Sequence, residues 1–106
     1  MKSVSYTVVT NNGRAFDVSL PLHLQTRSET GVAQMVTELL ATLSSYLGSN
    51  RNVSDGDVLQ ALAITLAIRA RMLSATPEST ASLIEDLFGT AYAAARAAPS
   101  YVVGRA

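Results

Sequence analysis

Cysteine is absent from the chain, which excludes disulfides, thiol catalysis and thiolate metal sites together. That absence fits a reducing cytosol. Tryptophan is absent as well, and the single histidine is His23. Charge is scarce: Asp, Glu, Lys and Arg make up 15% of the 106 residues, against about 25% in ordinary globular domains. The eight basic and eight acidic residues cancel, and arginines nowhere gather into a stripe. A nucleic-acid binder needs such a stripe to displace counterions from phosphates, so direct DNA or RNA binding is not expected. Zero net charge favours self-association instead. Long apolar runs are missing too. The longest, within Val58–Ile68, is interrupted by Gln60 and Thr65 and falls short of the roughly 20 residues that span a bilayer. The first residues alternate polar and apolar with no hydrophobic core of a signal peptide. A cytoplasmic protein with no membrane span is the expectation.

What is present is apolar, at 48% of residues, and it is patterned. Ser3–Thr10 alternates, with Val4, Tyr6 and Val8 on one side, and Arg14–Leu20 repeats the pattern with Phe16, Val18 and Leu20. Asn11-Asn12-Gly13 lies between them, and Asn-Gly supplies the positive φ of tight hairpin turns. A β-hairpin over residues 3–20 follows. It is marginal alone, so its apolar face must lie on something. Pro21 ends the ladder and Leu22–Arg27 connects onward.

The remaining periodicity is helical. Ser28 or Thr30 caps a first helix whose stripe runs through Val32, Met35, Val36, Leu39, Leu40, Leu43, Tyr46 and Leu47, with Gly48 placed to end it. Its opposite face, Thr37, Glu38, Ala41, Thr42, Ser44 and Ser45, carries one charge among small side chains. Ser54-x-x-Asp57 imitates a capping box and starts a second helix. Thr76-Pro77-Glu78 starts a third, with Leu83, Ile84, Leu87, Phe88, Ala91, Ala94, Ala95 and Ala98 on one side and Gly89 in its middle. Pro99 stops it, and Tyr101-Val102-Val103 in the tail 99–106 reads as a short edge strand or a docking peptide. The fold class is therefore α+β, mainly α: an N-terminal β-hairpin followed by three helices (residues 30–98), in one domain spanning 1–106.

The second helix organises the rest. Over Val58–Leu73, Leu59, Leu62, Ala63, Leu66, Ala70 and Leu73 share one face, while Ala61, Ile64, Ile68 and Met72 share another. Polar residues occupy two narrow seams, Gln60 with Arg71 and Thr65 with Arg69. Such a helix must be covered twice. Within one chain, the first helix would cover the leucine face, and the hairpin or third helix the Ile64/Ile68/Met72 face. Alternatively, Ala61, Ile64, Ile68 and Met72 form a partner-binding or homodimer surface, since methionine and aliphatic side chains at helical spacing suit an adaptable contact.

No arrangement for catalysis accompanies these helices. His23 has no hydroxyl tied to it by spacing, so it reads as an ordinary, partly exposed histidine. Asp55-Gly56-Asp57 lacks the further oxygen ligands and distal Glu of a calcium loop, and helix capping accounts for both acids. Glu85 and Asp86 point about 100° apart on a helix and form no dyad. A helix-turn-helix is rejected, because the would-be recognition helix carries Glu78, Glu85 and Asp86 toward phosphates. No enzyme activity, metal or cofactor is expected.

The size, the lack of cysteine, and the successive helices MVTELLATLSSYLG (35–48) and DVLQALAITLAIRARML (57–73) resemble the QslA family of bacterial quorum-sensing antiactivators. The resemblance implies a cytoplasmic helical homodimer. It also implies a partner: a LuxR-type transcription regulator, bound through its LasR-like ligand-binding domain and kept from dimerising on DNA. A self-associating structural or accessory protein of phage type is the other reading the residues leave open.

Overall fold

Two strands pair first. In the structure, a computed structural model that describes residues 2–10 and 12–103, β1 (Ser3–Val9) runs antiparallel to β2 (Arg14–Pro21). The register matches Val4 with Leu20, Tyr6 with Val18 and Val8 with Phe16, so the apolar side chains of both strands share a face. Val4 and Val18 are buried on it. In the turn Gly13 is left-handed at φ 79°, and Asn12 takes no positive φ. The Thr10 amide donates to the Arg14 carbonyl at 2.8 Å, closing a three-residue loop with the glycine last rather than the two-residue turn that Asn-Gly also permits.

A third strand, β3 (Ser100–Val102), pairs antiparallel with β2, giving the order β1-β2-β3. Thus Tyr101-Val102 is an edge strand, and the Val103 amide extends the pairing by donating to the Gly13 carbonyl at 2.9 Å. The last three residues of the tail lie outside the described residues. Ala15, opposite Tyr101, is the most buried residue of the sheet. Beside it the Tyr101 hydroxyl donates to the Asp17 carboxylate at 3.2 Å, and Thr7 Oγ1 donates to the same group at 2.6 Å. Desolvation, then the Asp17 charge, holds the Tyr101 phenol above its usual pKa.

Three helices follow: α1 (Glu29–Ser49), α2 (Asp55–Arg71) and α3 (Pro77–Ala97). The architecture is α+β, mainly α, as the sequence pattern indicates. Ser28, not Thr30, caps α1: its Oγ accepts the Gly31 amide at 2.9 Å. A Cβ on Gly31 would meet that Oγ at 2.8 Å, so glycine makes room for the cap. α1 continues through Gly48 to Ser49 without a left-handed residue, and Asn50 Nδ2 satisfies the Tyr46 carbonyl at 2.8 Å.

The capping box of α2 is complete. Ser54 Oγ accepts the Asp57 amide and Asp57 Oδ2 accepts the Ser54 amide, both at 3.1 Å. At the other end the helix stops at Arg71, with Met72 as C-cap, two residues before the periodicity runs out. α3 starts where Thr76-Pro77 directs: Thr76 Oγ1 accepts the Ser79 amide at 3.1 Å. Removing one α2 cap has a measurable consequence. Ser54→Ala removes the side-chain acceptor of the Asp57 amide and should cost about 1 kcal/mol, read as lost helicity and an earlier melt in circular dichroism.

The chain divides into two compact units. One is Met1–Ala33 with Ile84–Ala106. It holds the sheet, and the Tyr6 hydroxyl donates to the Ala33 carbonyl at 3.0 Å, tying the first turn of α1 to β1. The other is Gln34–Leu83, which holds most of α1, all of α2 and the start of α3. Within this second unit α1 and α2 form no extended interface.

Candidate protein-binding surface

α2 buries none of its residues. Ile64 is 51% exposed, Ile68 61% and Met72 67%, and Ala61 is exposed with them. On the opposite face Leu59 is 68% exposed, and Leu62, Leu66 and Leu73 are open as well. The expected cover of the leucine face by α1 is missing, since α1 and α2 form no extended interface, and the Ile64/Ile68/Met72 face is exposed as well. The physical reason lies in α1. It forms no extended interface with α2, and its own stripe residues Met35, Leu39 and Tyr46 are exposed.

Periodicity placed Ala61, Ile64 and Ile68 together correctly, because positions three and four apart on a helix are neighbours. Met72, as C-cap, closes the end of that face, and Arg69 Nη1 lies 3.6 Å from its sulfur. The seams hold as well. Thr65 Oγ1 turns back to the Ala61 carbonyl at 2.8 Å, so its hydroxyl is spent on its own helix and leaves the neighbouring apolar face uninterrupted. The site is thus an apolar helix surface with few polar groups to orient a partner. It can contribute desolvation and shape, not chemistry.

A second exposed feature escaped the reading of faces. On α3, Phe88 and Tyr92 stack with ring centroids 5.3 Å apart, and the Arg96 guanidinium lies 5.7 Å from the Tyr92 centroid. The signal in the sequence is an i, i+4, i+8 ladder of Phe88, Tyr92 and Arg96.

The weak chemical candidates resolve into local structure. His23 is exposed, and its Nδ1 accepts the Gln25 amide at 3.1 Å while its carbonyl accepts the Thr26 amide at 3.0 Å. It therefore holds the turn after β2, in an open depression lined by Lys2, Ser3, Leu22, Leu24 and Glu29. Asp57 is spent on its capping box and Asp55 sits in the first turn of α2. Among the described residues no group of three His, Cys, Asp or Glu side chains is placed to hold a metal ion. Among the described residues no helix is long and apolar enough to cross a membrane. Compared with protein-family models, curated proteins and solved structures, the chain matches none.

Proposed function

We propose that this chain is an antiactivator. It binds a LuxR-type quorum-sensing transcription factor through that factor's ligand-binding domain and prevents its dimerisation and DNA binding. One observation carries the reading: an entire helix, α2, presents two uncovered apolar faces on a chain with little charge. Monomeric proteins rarely leave contiguous apolar surface of this kind open, and partners account for it when they do. The resemblance of residues 35–48 and 57–73 to quorum-sensing antiactivators supplies the partner class. The protein acts in the cytoplasm, where such receptors work, as a homodimer and without catalysis of its own.

The mechanism is mass action. A ligand that binds only the monomeric receptor lowers the population able to pair on DNA, and the shift equals its differential affinity for the two states. An apolar helix suits the task because a receptor's dimerisation surface is itself apolar, and covering it with another helix satisfies both.

The test mixes the purified chain with an acyl-homoserine-lactone-loaded LuxR-type ligand-binding domain in light scattering. A mixed complex should form at the expense of the receptor dimer, and added chain should release the full-length receptor from its operator. An undisturbed receptor dimer at excess chain would overturn the reading. The second reading, a self-associating accessory protein, draws on the same surfaces, since α1 and α2 both carry apolar stripes that a second copy would cover. It predicts self-assembly with no effect on the receptor.

A further inference from the structure

We propose that β1 is the self-association element, pairing antiparallel with β1 of a second copy about a two-fold axis. This rests on the self-association contained in the reading above and assigns it a surface, leaving the α2 faces for the receptor. The argument begins with hydrogen-bond parity. The Leu22 amide donates to the Lys2 carbonyl and the Thr10 amide to the Arg14 carbonyl, both at 2.8 Å. Antiparallel ladders alternate, so the even-numbered residues of β1 carry its bonds to β2. The N–H and C=O groups of Ser3, Ser5, Thr7 and Val9 then point away from the sheet, and β1 is its edge. All four residues are exposed.

This edge has none of the usual protection. β1 contains no proline and no charged residue over Ser3–Val9, whereas native edges are normally blunted by charge, proline, bulges or shortness. The other edge is blunted. β3 is three residues long, and Arg14 occupies it, donating from Nε to Ser100 Oγ at 3.0 Å and from Nη2 to the Ser100 carbonyl at 3.1 Å.

β1 is also self-complementary. Because side chains alternate, two copies keep apolar residues on one face only in registers where paired residue numbers sum to an even value. With Tyr6 opposite Tyr6, Val4 meets Val8, Ser5 meets Thr7 and Ser3 meets Val9. This register pairs every residue of the strand and satisfies all the outward backbone groups. It matches hydroxyl with hydroxyl, a favourable cross-strand pair, and brings no like charges opposite one another. Registers shifted either way pair fewer residues of the strand. The two sheets become one, in the order β3-β2-β1-β1-β2-β3.

Cysteine scanning tests the register directly, because the chain has no cysteine of its own. Ser5→Cys and Thr7→Cys are made separately, one with a tag. In the proposed pairing residue 5 faces residue 7 at about 5.5 Å between Cα atoms, within disulfide reach. Residue 5 lies about 8–9 Å from its own copy, out of reach. Oxidation should link the mixture into a heterodimer and leave each variant alone unlinked. Ser5→Pro removes an amide that does not bond β2, so it should keep the circular-dichroism spectrum and weaken the dimer roughly tenfold or more. A monomer in light scattering, or disulfides within one variant alone, would overturn the proposal. A dimer without the 5-to-7 link would also overturn it, placing self-association on another surface. So would a link from residue 5 to an extended segment of the receptor. Receptor binding is read separately, by release from DNA, so either reading can fail while the other stands.

Discussion

Ile68→Asp should abolish partner binding while leaving the chain folded. Ile68 is 61% exposed at the centre of the Ala61/Ile64/Ile68/Met72 face, so a carboxylate there remains in water in the free chain. The cost to the free chain is helix propensity plus an acid in the last turn of α2, together about 1 kcal/mol. In a complex that covers the face, the same carboxylate loses its water, and Arg71, three residues on in the flanking seam, is the one cation of α2 placed to offset part of that cost. Burying a charge that is at best partly paired still costs a few kcal/mol, which is on the order of a hundredfold in affinity. The measurement pairs isothermal titration against the receptor domain with circular dichroism of the free variant. Unchanged affinity in a folded variant would remove α2 from the interface.

The same substitution at Val18 should do the reverse. Val18 is 7% exposed on the apolar face of the sheet, opposite Tyr6. Val18→Asp places a carboxylate among Val4, Tyr6 and Leu20 with no basic partner. Uncompensated buried charge costs about 3–5 kcal/mol, a large share of the roughly 5–15 kcal/mol that holds a domain together. The expected result is a melting temperature lower by on the order of 15 °C or more, or no cooperative melt at all. Together the two variants separate surface from core. A melt unchanged by Val18→Asp would mean that the face formed by Val4, Tyr6 and Val18 is not what stabilises the sheet.

Local structure was largely legible because its causes are local. Alternation with Asn-Gly marks the hairpin, Ser54 with Asp57 marks the start of α2, and Thr76-Pro77 that of α3. Gly48 misled because a glycine ends a helix only when its backbone turns left-handed, and here it stays helical until Asn50 takes the exposed carbonyl. The pairing of Tyr101 with Ala15 joins residues far apart in sequence, and nothing in either segment names the other. The candidate surface was half legible. Helical period states which residues share a face, and that held for Ala61, Ile64 and Ile68. It does not state what lies against them, and the cover expected from α1 over the neighbouring leucine face does not form. The outward parity of β1 was invisible for a related reason, since it depends on which residues of β2 the strand meets.

The uncovered state of α2 bears on how long a copy of this protein lasts. A helix of 17 residues draws most of its stability from packing, and with no packed face it rests on a capping box and propensity alone. Its amides should exchange and its backbone should be cut far sooner than those of the sheet. Binding protects only the copies that are bound. Surplus chain would then be degraded preferentially, so the steady amount of the protein would follow the amount of its partner.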